Sequence, residues 1–424
     1  MADTVIPQAA GNAQPVILPT SNLEQFRDQL NNPNRHHANM GVPGANNDGS
    51  KIVRVKRNLV VSFSSDTTGC GHIRNIFIMT YLNAVFAKSH ILRTAIMPFF
   101  YYQHEMLMQA RTLFFPRTMS EEYLVAVKRY KEMQPRYRYQ MIYDIDDFIW
   151  KGELTGENIP DYNFGSRTIP KNVIDTAVSI MGMMDTICVS TQFLKSYITD
   201  TLKIKTPIII LPNSVPRYFY GPNPRPQITE KLTKPRIIYT GSPTHYDNEK
   251  RLLGDFENAW LEYLIKNVKD QKIDLCVMGC SPSPVGMQIP WFFEPIRNQI
   301  TAIPWQNSYQ YHLPIQEYKP DFSIAPLVPN YFNYSKSDIK YIETCAFGAV
   351  FIGTTFTNGM PSPYDNAIVT LPDTCTVADI EKTINHHCEP QNFNAIIKKQ
   401  YDYMDAAGRW LDCEKYVNFL TKIF

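Results

Sequence analysis

The feature that most constrains this chain is a repeated alternation of short apolar runs with longer helical patterns, interrupted once by a proline-rich stretch. Asn58–Ser65 (NLVVSFSS) has the composition of a buried strand. In Arg74–Lys88 the residues Ile76, Phe77, Met79, Tyr81, Leu82, Val85 and Phe86 leave little polar face, which predicts a mostly buried helix. Further strands are predicted at His90–Phe100, Arg138–Tyr143, Thr186–Ser190 and Pro207–Leu211. Helices are predicted between them at Glu121–Met133, Val173–Met184 and Thr191–Leu202. Apolar strands alternating with helices belong in a parallel sheet covered on both faces.

Six prolines between Pro212 and Pro235 mark a connection (212, 216, 222, 224, 226 and 235), after which a second series begins. Its predicted strands are Arg236–Thr240, Ile273–Met278, Ile300–Ile303, Phe322–Ala325 and Ala349–Gly353. The spacing Leu252, Phe256, Trp260, Leu264 marks an amphipathic helix, and a second helix spans Asp338–Phe347, stopped by Gly348. The fold class is therefore α/β, with one domain over 51–215 and another over 216–400 separated by a cleft. Residues 1–50, rich in Asn, Pro, Gly and Ala, read as a poorly ordered extension, and 401–424 as a terminal helix. Ligands of such sheets bind at the carboxyl ends of the strands.

Composition removes several alternatives. With 44% hydrophobic and 19% charged residues the chain is not wholly disordered. The longest apolar run, Phe77–Ala87, contains Thr80 and Asn83 and falls short of the roughly 18 residues needed to span a bilayer. The start, MADTVIPQAAGNAQP, has no basic patch before an apolar stretch and so does not read as a secretory signal. Eight scattered cysteines without a C-x-x-C pair suit a soluble, cytoplasmic, reduced protein. His386-His387-Cys388 could hold a metal, but without a second cluster a polar loop is the simpler reading, and no metal is expected. The net charge of +2 is uneven: residues 51–215 carry 20 basic and 14 acidic side chains, a net of +6. That half is the one suited to a polyanion.

The most informative segment is Asn333–Gly353, NYSKSDIKYIETCAFGAVFIG. Ser335 or Ser337 suits a helix N-cap, and Lys336 stands beside free N–H groups and the positive end of the helix dipole, a phosphate-binding arrangement. Glu343 follows on the helix, where its carboxylate can meet a ribose hydroxyl; a capped helix with a solvated Glu is the alternative.

Here the chain resembles the retaining GT-B glycosyltransferases of the family-4 type, which carry a Glu-x7-Glu signature before a Gly-x-Pro-Val-Ile strand. Glu343 and the following Ala346-Phe347-Gly348-Ala349-Val350-Phe351 match its second half, while Ser335 stands where the first Glu belongs. The resemblance implies two Rossmann-like domains and a nucleotide diphosphosugar held by Lys336, Ser337, Asp338 and Glu343, with uridine the family's commonest nucleotide and no cofactor beyond that substrate. Three other segments fit in order. The loop Tyr239–His245 would face the diphosphate with Ser242, Pro243, Thr244 and His245. Gly69-Cys70-Gly71, followed by Arg74, corresponds to the family's glycine loop beside the donor, with Gly71 and Arg74 as donor contacts. Tyr143–Trp150 (YDIDDFIW) resembles a Tyr-x-Ile-Asp-Asp-x-x-Trp segment and offers Asp146 and Asp147, with Lys336, as catalytic groups. A metal-binding Asp-x-Asp is the rival reading; in this fold cations and helix dipoles usually replace the metal. The terminal helix often crosses back onto the first domain.

Residues 128–139, KRYKEMQPRYRY, mix Lys128, Arg129, Lys131, Arg136 and Arg138 with three tyrosines, a composition suited to phosphate backbones and bases. A solvated helix face is the alternative. With this segment the chain looks like the DNA-modifying glycosyltransferases of T-even-type bacteriophages. That likeness implies double-stranded DNA with hydroxylated cytosines as acceptor, a flipped target base and a location in the host cytoplasm. A cell-envelope or capsule glycosyltransferase, a GT-B phosphorylase or epimerase, and a non-catalytic DNA-binding protein remain as alternatives. The sugar, hexose or pentose, and the oligomeric state are not legible.

Overall fold

In the computed structural model the described residues are 57–63, 71–86, 92–97, 103–150, 160, 171–220, 225–283, 286–307 and 310–424. The expected extension at 1–50 and the Gly69-Cys70 part of the glycine loop lie outside them. The first sheet contains β1 (Leu59–Phe63), β2 (Arg93–Met97), β3 (Ala110–Pro116), β4 (Gln140–Ile145), β5 (Thr186–Val189) and β6 (Ile208–Ile210). They run parallel in the order β2-β1-β3-β4-β5-β6. Helices α1 (Phe77–Phe86), α2 (His104–Gln109), α3 (Glu121–Tyr137), α4 (Lys171–Met183) and α5 (Gln192–Ser196) connect them, and the short α6 (Arg217–Tyr220) follows β6.

The second sheet holds β7 (Arg236–Thr240), β8 (Asp274–Ser283), β9 (Gly286–Gln288), β10 (Thr301–Pro304), β11 (Phe322–Ala325), β12 (Val350–Thr355) and β13 (Thr370–Pro372). Its parallel order is β10-β8-β7-β11-β12-β13, with β9 antiparallel to β8. The helices of this half are α7 (Ala259–Lys269), α8 (His312–Tyr318), α9 (Tyr331–Ser335), α10 (Ile339–Phe347), α11 (Val377–His387) and α12 (Pro390–Ala406), and α13 (Glu414–Ile423) follows. The strand order reverses direction between β1 and β3 in one sheet and between β7 and β11 in the other. Crevices open at such switch points, outside the strand carboxyl ends.

Local chemistry sets the element ends. Ser120 accepts a hydrogen bond from the Tyr123 N–H, and Glu121 and Glu122 fill the first turn of α3, complementing its dipole. Thr376 and Asp379 form a reciprocal capping box on α11. Gly348, at φ 74°, ends α10 in the left-handed conformation that glycine adopts without strain. The start of α10 corrects the sequence expectation. Asp338 occupies the cap position without a side-chain cap bond, Ser335 closes α9, and Ser337 turns elsewhere.

Three other expectations change. The strand expected over His90–Phe100 is described as β2 alone, and a further helix–strand unit, α2–β3, follows. β3 is central, paired with both β1 and β4. Its sequence runs on from α2 without a turn residue, and Arg111 and Thr112 break its apolar run, which concealed it. Leu252 and Phe256 lie before α7, whose start is fixed by Asn258 accepting from the Trp260 N–H at 3.0 Å. The boundary placed at 400/401 falls inside α12; the chain crosses over near Gly408–Leu411, where Val215 and Trp410 form a parallel bridge.

After the crossover Leu411, Tyr416, Leu420 and Phe424 join Val60, Phe77, Phe114 and Ile142 in the first sheet's core. The second core gathers Ile237, Tyr239, Phe256, Trp260, Leu264 and Val350. Among the described residues no helix is long and apolar enough to cross a membrane. The described cysteines are all unpaired.

Candidate functional site

At the β7–β11 switch point the backbone is drawn tight. A Cβ on Gly241 would collide with the Tyr239 ring, and one on Gly279 with the Gly241 carbonyl, so the loop after β7 packs directly on the end of β8. That loop turns through Pro243–His245, with the Ser242 and Thr244 hydroxyls 2.8 Å apart and Pro243 exposed. His245 is buried. Its Nδ1 lies 2.5 Å from Asp255 Oδ2, and its Nε2 faces the ammonium groups of Lys336 at 3.3 Å and Lys340 at 3.4 Å. An ammonium group only donates, so Nε2 accepts and the ring proton sits on Nδ1, donated to Asp255. Burial, reinforced by the two lysines, lowers the His245 pKa to about 3, so the ring is neutral at pH 7.

Asp255 is fixed in turn. Asn333 Nδ2 donates to its Oδ1 at 2.7 Å and to the Val328 carbonyl at 2.8 Å. Burial raises the Asp255 pKa, but hydrogen bonds from His245 and Asn333 and the charge of Lys336 outweigh it and hold the group below the usual carboxylate value. Lys336 Nζ lies 4.8 Å from the centre of the Phe332 ring, and Lys340 Nζ 5.3 Å from that of Tyr239. Burial, with the neighbouring charge of Lys336, lowers the Lys340 pKa to about 7. Two lysines thus converge beside the start of α10, a concentration of positive charge suited to a diphosphate.

Glu343 lies three residues after Lys340, on the same face of α10. It is 8% exposed; its Oε1 accepts from the Tyr220 hydroxyl at 3.1 Å and its Oε2 from Tyr311 at 3.4 Å. Burial raises its pKa to about 7 against the opposing pull of Tyr220, Lys340 and Tyr311. The carboxylate borders a recess it shares with Thr240, Tyr311 and Lys340. Lys340 is the second lysine of the Lys-Ser-Asp-x-Lys-x-x-Glu run over 336–343, three residues before Glu343 on one helix, though the sequence alone gives it no role; Tyr220 and Tyr311 carry no sequence signal.

In the first half two of the three carboxylates at the end of β4 take separate partners. Asp144 forms a bidentate pair with Arg74, both 2% exposed, through Nε at 3.1 Å and through Nη2. Asp147 pairs with Arg117 at 2.6 Å. Asp146 is 8% exposed, and among the described residues its carboxyl has no hydrogen-bond or ion-pair partner. Burial, and then the charge of Asp147, raises its pKa to about 7. Tyr143 and Trp150, which frame the acidic segment, are buried, and Phe148 meets Tyr331 of the second half at 6.0 Å.

Several predicted residues have other engagements. Arg74 spends its guanidinium on Asp144, the Leu211 carbonyl and Asn213 Oδ1, the last at 3.1 Å, and presents no direct donor contact. Asp338 is bound by Arg409 at 2.7 Å. Ser337 accepts from Asn213 Nδ2 at 2.7 Å. Gly71 is buried just before a π-helical turn, His72–Ile76. The basic segment is also corrected: Tyr130, Tyr137 and Tyr139 point into the core and supply no stacking surface. Lys128, Arg136 and Arg138 are exposed, Arg129 pairs with Glu132 and Lys131 with Asp185. Helical spacing turns Tyr130 and Tyr137 inward and Lys128 and Arg136 out, and past the end of α3 Tyr139 is buried while Arg138 stays exposed. The segment also runs toward the amino end of β4, about 20 Å from the carboxyl end where Asp146 sits. His386 is exposed and His387 buried, and among the described residues no group of three His, Cys, Asp or Glu side chains gathers to hold a metal ion.

No protein-family model and no curated protein matches the sequence. Solved structures do. A sucrose-phosphate synthase from Thermosynechococcus elongatus matches at TM-score 0.54 and 11% identity, over 87% of this chain and 98% of that one. A glycosyltransferase from Rickettsia africae ESF-5 matches at TM-score 0.52 and 12% identity, over 87% and 97%. HepE from Anabaena, solved with UDP and glucose, matches at TM-score 0.50 and 7% identity, over 87% and 99%. At these identities the likeness is one of fold: the chain has the α/β GT-B fold.

Proposed function

We propose that this chain is a retaining glycosyltransferase that moves a hexosyl or pentosyl group from a nucleotide diphosphosugar, with UDP as carrier, to a hydroxyl acceptor. The observation that carries this reading is the convergence of Lys336 and Lys340 on neutral His245 beside α10, with Glu343 one turn further along the helix. The fold likeness to HepE, a protein solved with UDP and glucose, supports the choice of carrier.

The ribose hydroxyls bind Glu343 and the diphosphate lies against Lys336, Lys340 and the Ser242–Thr244 loop. As the bond from the anomeric carbon to the phosphate oxygen breaks, negative charge grows on the diphosphate and the two ammonium groups stabilise it. Removing one such donor typically costs about 3–4 kcal/mol of transition-state stabilisation. The acceptor oxygen attacks from the face the diphosphate leaves. Its proton passes to the departing phosphate oxygen, so no second carboxylate is required. Asp146, without a described partner and titrating near neutrality, holds a hydroxyl of the reacting sugar or the acceptor.

For the acceptor, hydroxymethylated cytosine in duplex DNA is supported by the +6 charge of residues 51–215 and the outward Lys128, Arg136 and Arg138. The course of those cations away from the β4 carboxyl end favours a second acceptor, a cell-envelope or capsular saccharide. Mass spectrometry of nucleosides from hydroxymethylcytosine-containing DNA, incubated with the protein and a nucleotide-sugar pool, separates the two. A mass gain on cytosine establishes the DNA acceptor. Release of nucleoside diphosphate with unmodified DNA moves the acceptor to a saccharide, and neither signal with a full donor panel refutes the transferase.

A further inference from the structure

The segment that carries Lys336 is gripped on both sides by the first half. Thr191 Oγ1 donates to the Ser335 carbonyl at 3.0 Å, and Asn213 Nδ2 donates to Ser337 Oγ at 2.7 Å. Lys336 is the single residue between these anchors. The neighbouring position is gripped as well: Arg409 binds Asp338 Oδ2 at 2.7 Å and the Asn213 carbonyl at 3.2 Å. Asn213 is 4% exposed and its amide has one orientation that satisfies its surroundings. Its Oδ1 receives Arg74 Nη1 at 3.1 Å, which leaves Nδ2 for Ser337. Arg74 is held in turn by Asp144 at the end of β4. A continuous path of hydrogen bonds therefore runs from the β4 carboxyl end, through Arg74 and Asn213, to the hydroxyl of Ser337 beside Lys336.

We infer that Asn213 and Thr191 are positioning residues for the nucleotide diphosphosugar, first-half side chains that fix the second half's diphosphate-binding segment without touching the donor. This rests on the donor reading above. The diphosphate site is then complete only while the two halves are in contact. An ammonium group misplaced by an ångström loses much of its electrostatic value, so loosening either anchor weakens donor binding even though every donor-facing side chain is present.

The test is calorimetric titration of the full chain with UDP, GDP and ADP, using the tightest binder thereafter, together with donor KM and kcat. Lys336→Ala serves as the loss-of-site control. Thr191→Val and Asn213→Ser are each expected to weaken the dissociation constant about fivefold, the scale of one lost hydrogen bond. Donor KM should rise with kcat less affected. Thr191→Ser, which keeps the hydroxyl that also caps α5, is expected to restore wild-type binding. A purely structural role would lower the melting temperature and leave the nucleotide dissociation constant of the folded protein unchanged. The inference is overturned if folded Thr191→Val and Asn213→Ser bind like wild type while Lys336→Ala does not. If Asn213→Ser does not fold, the contrast between Thr191→Val and Thr191→Ser decides. Wild-type protein that binds none of the three nucleotides, or Lys336→Ala that binds as well as wild type, removes the donor reading itself and the inference with it.

Discussion

Lys340→Met isolates the least expected part of the site. The substitution keeps the stem of the side chain along α10 and deletes one of the two ammonium groups facing His245 Nε2, at 3.4 Å. A charge-assisted hydrogen bond to a phosphate is worth about 1.5–3 kcal/mol, so nucleoside diphosphate binding should weaken roughly 10- to 150-fold at neutral pH. The wild type adds a pH signature, because Lys340 titrates at about 7. Only its protonated form pairs with the diphosphate, and that form falls from about half at pH 7 to about 3% at pH 8.5. With the neutral form binding as weakly as Lys340→Met, apparent affinity should therefore drop about 4- to 13-fold across that window. The sign follows from the group being a base: charge and binding are present below its pKa and lost above it. The nucleotide's terminal phosphate, with a pKa near 6, is already ionised there, so its own titration contributes little. Isothermal titration with UDP at pH 7.0, 7.5, 8.0 and 8.5 reads both effects. In Lys340→Met the dependence should flatten. A variant with wild-type affinity and an unchanged pH slope would falsify the assignment of Lys340 to the diphosphate.

Glu343→Ala should lower transfer at least about 100-fold while a melting curve stays within a few degrees of wild type; undiminished transfer would remove the ribose assignment. Arg74→Leu leaves Asp144 buried without its partner and should cost about 3–5 kcal/mol in urea unfolding, with Arg74→Leu/Asp144→Leu recovering much of it; a loss below about 1 kcal/mol in the single variant would contradict a dry pair. The His245 pKa is lowered in the folded protein to about 3, from an ordinary value of 6.5. Its contribution to stability is therefore complete above pH 6.5 and is lost as the pH falls toward 3, when unfolded chains take up a proton that folded ones refuse. Urea midpoints measured from pH 7.5 to pH 4 should fall less steeply in His245→Asn than in wild type.

The two parallel sheets were legible because their strands are apolar on both faces and most are bounded by Gly, Pro or charged turns. β3 was not: it follows α2 at Ala110 with no breaking residue, and Arg111 and Thr112 mask its apolar run. The cation site was half legible. Lys336, Lys340 and His245 all stand in motif-like segments, but only the fold shows that both lysines meet at His245. Conversely, Asp338 and Arg74 carry the chemistry a donor site needs, yet tertiary partners claim them: Arg409 takes one and Asp144 the other. Asp255, which holds His245 from 10 residues away, and Asn333, which holds Asp255 from 78 residues away, have no local sequence signal at all. The basic run at 128–139 misled for a simple reason. Its aromatics are buried and its cations exposed, on the helix by spacing and beyond it at Arg138 and Tyr139 by the turn into β4.

The return of the chain across both halves also sets an order of assembly. Phe424 offers its carbonyl to Thr112 at 3.1 Å over 312 residues and sets its ring against Phe114 at 5.2 Å. The first sheet, made early, therefore waits for residues 411–424, about 200 positions beyond its last strand, before its apolar face is covered, whereas the second sheet has its whole core within one contiguous stretch. The later half of the polypeptide can consolidate first, and contacts of such long sequence separation are slow to form. Until then the face that α13 covers stays open on a growing chain, the circumstance in which partly folded proteins aggregate or call on chaperones.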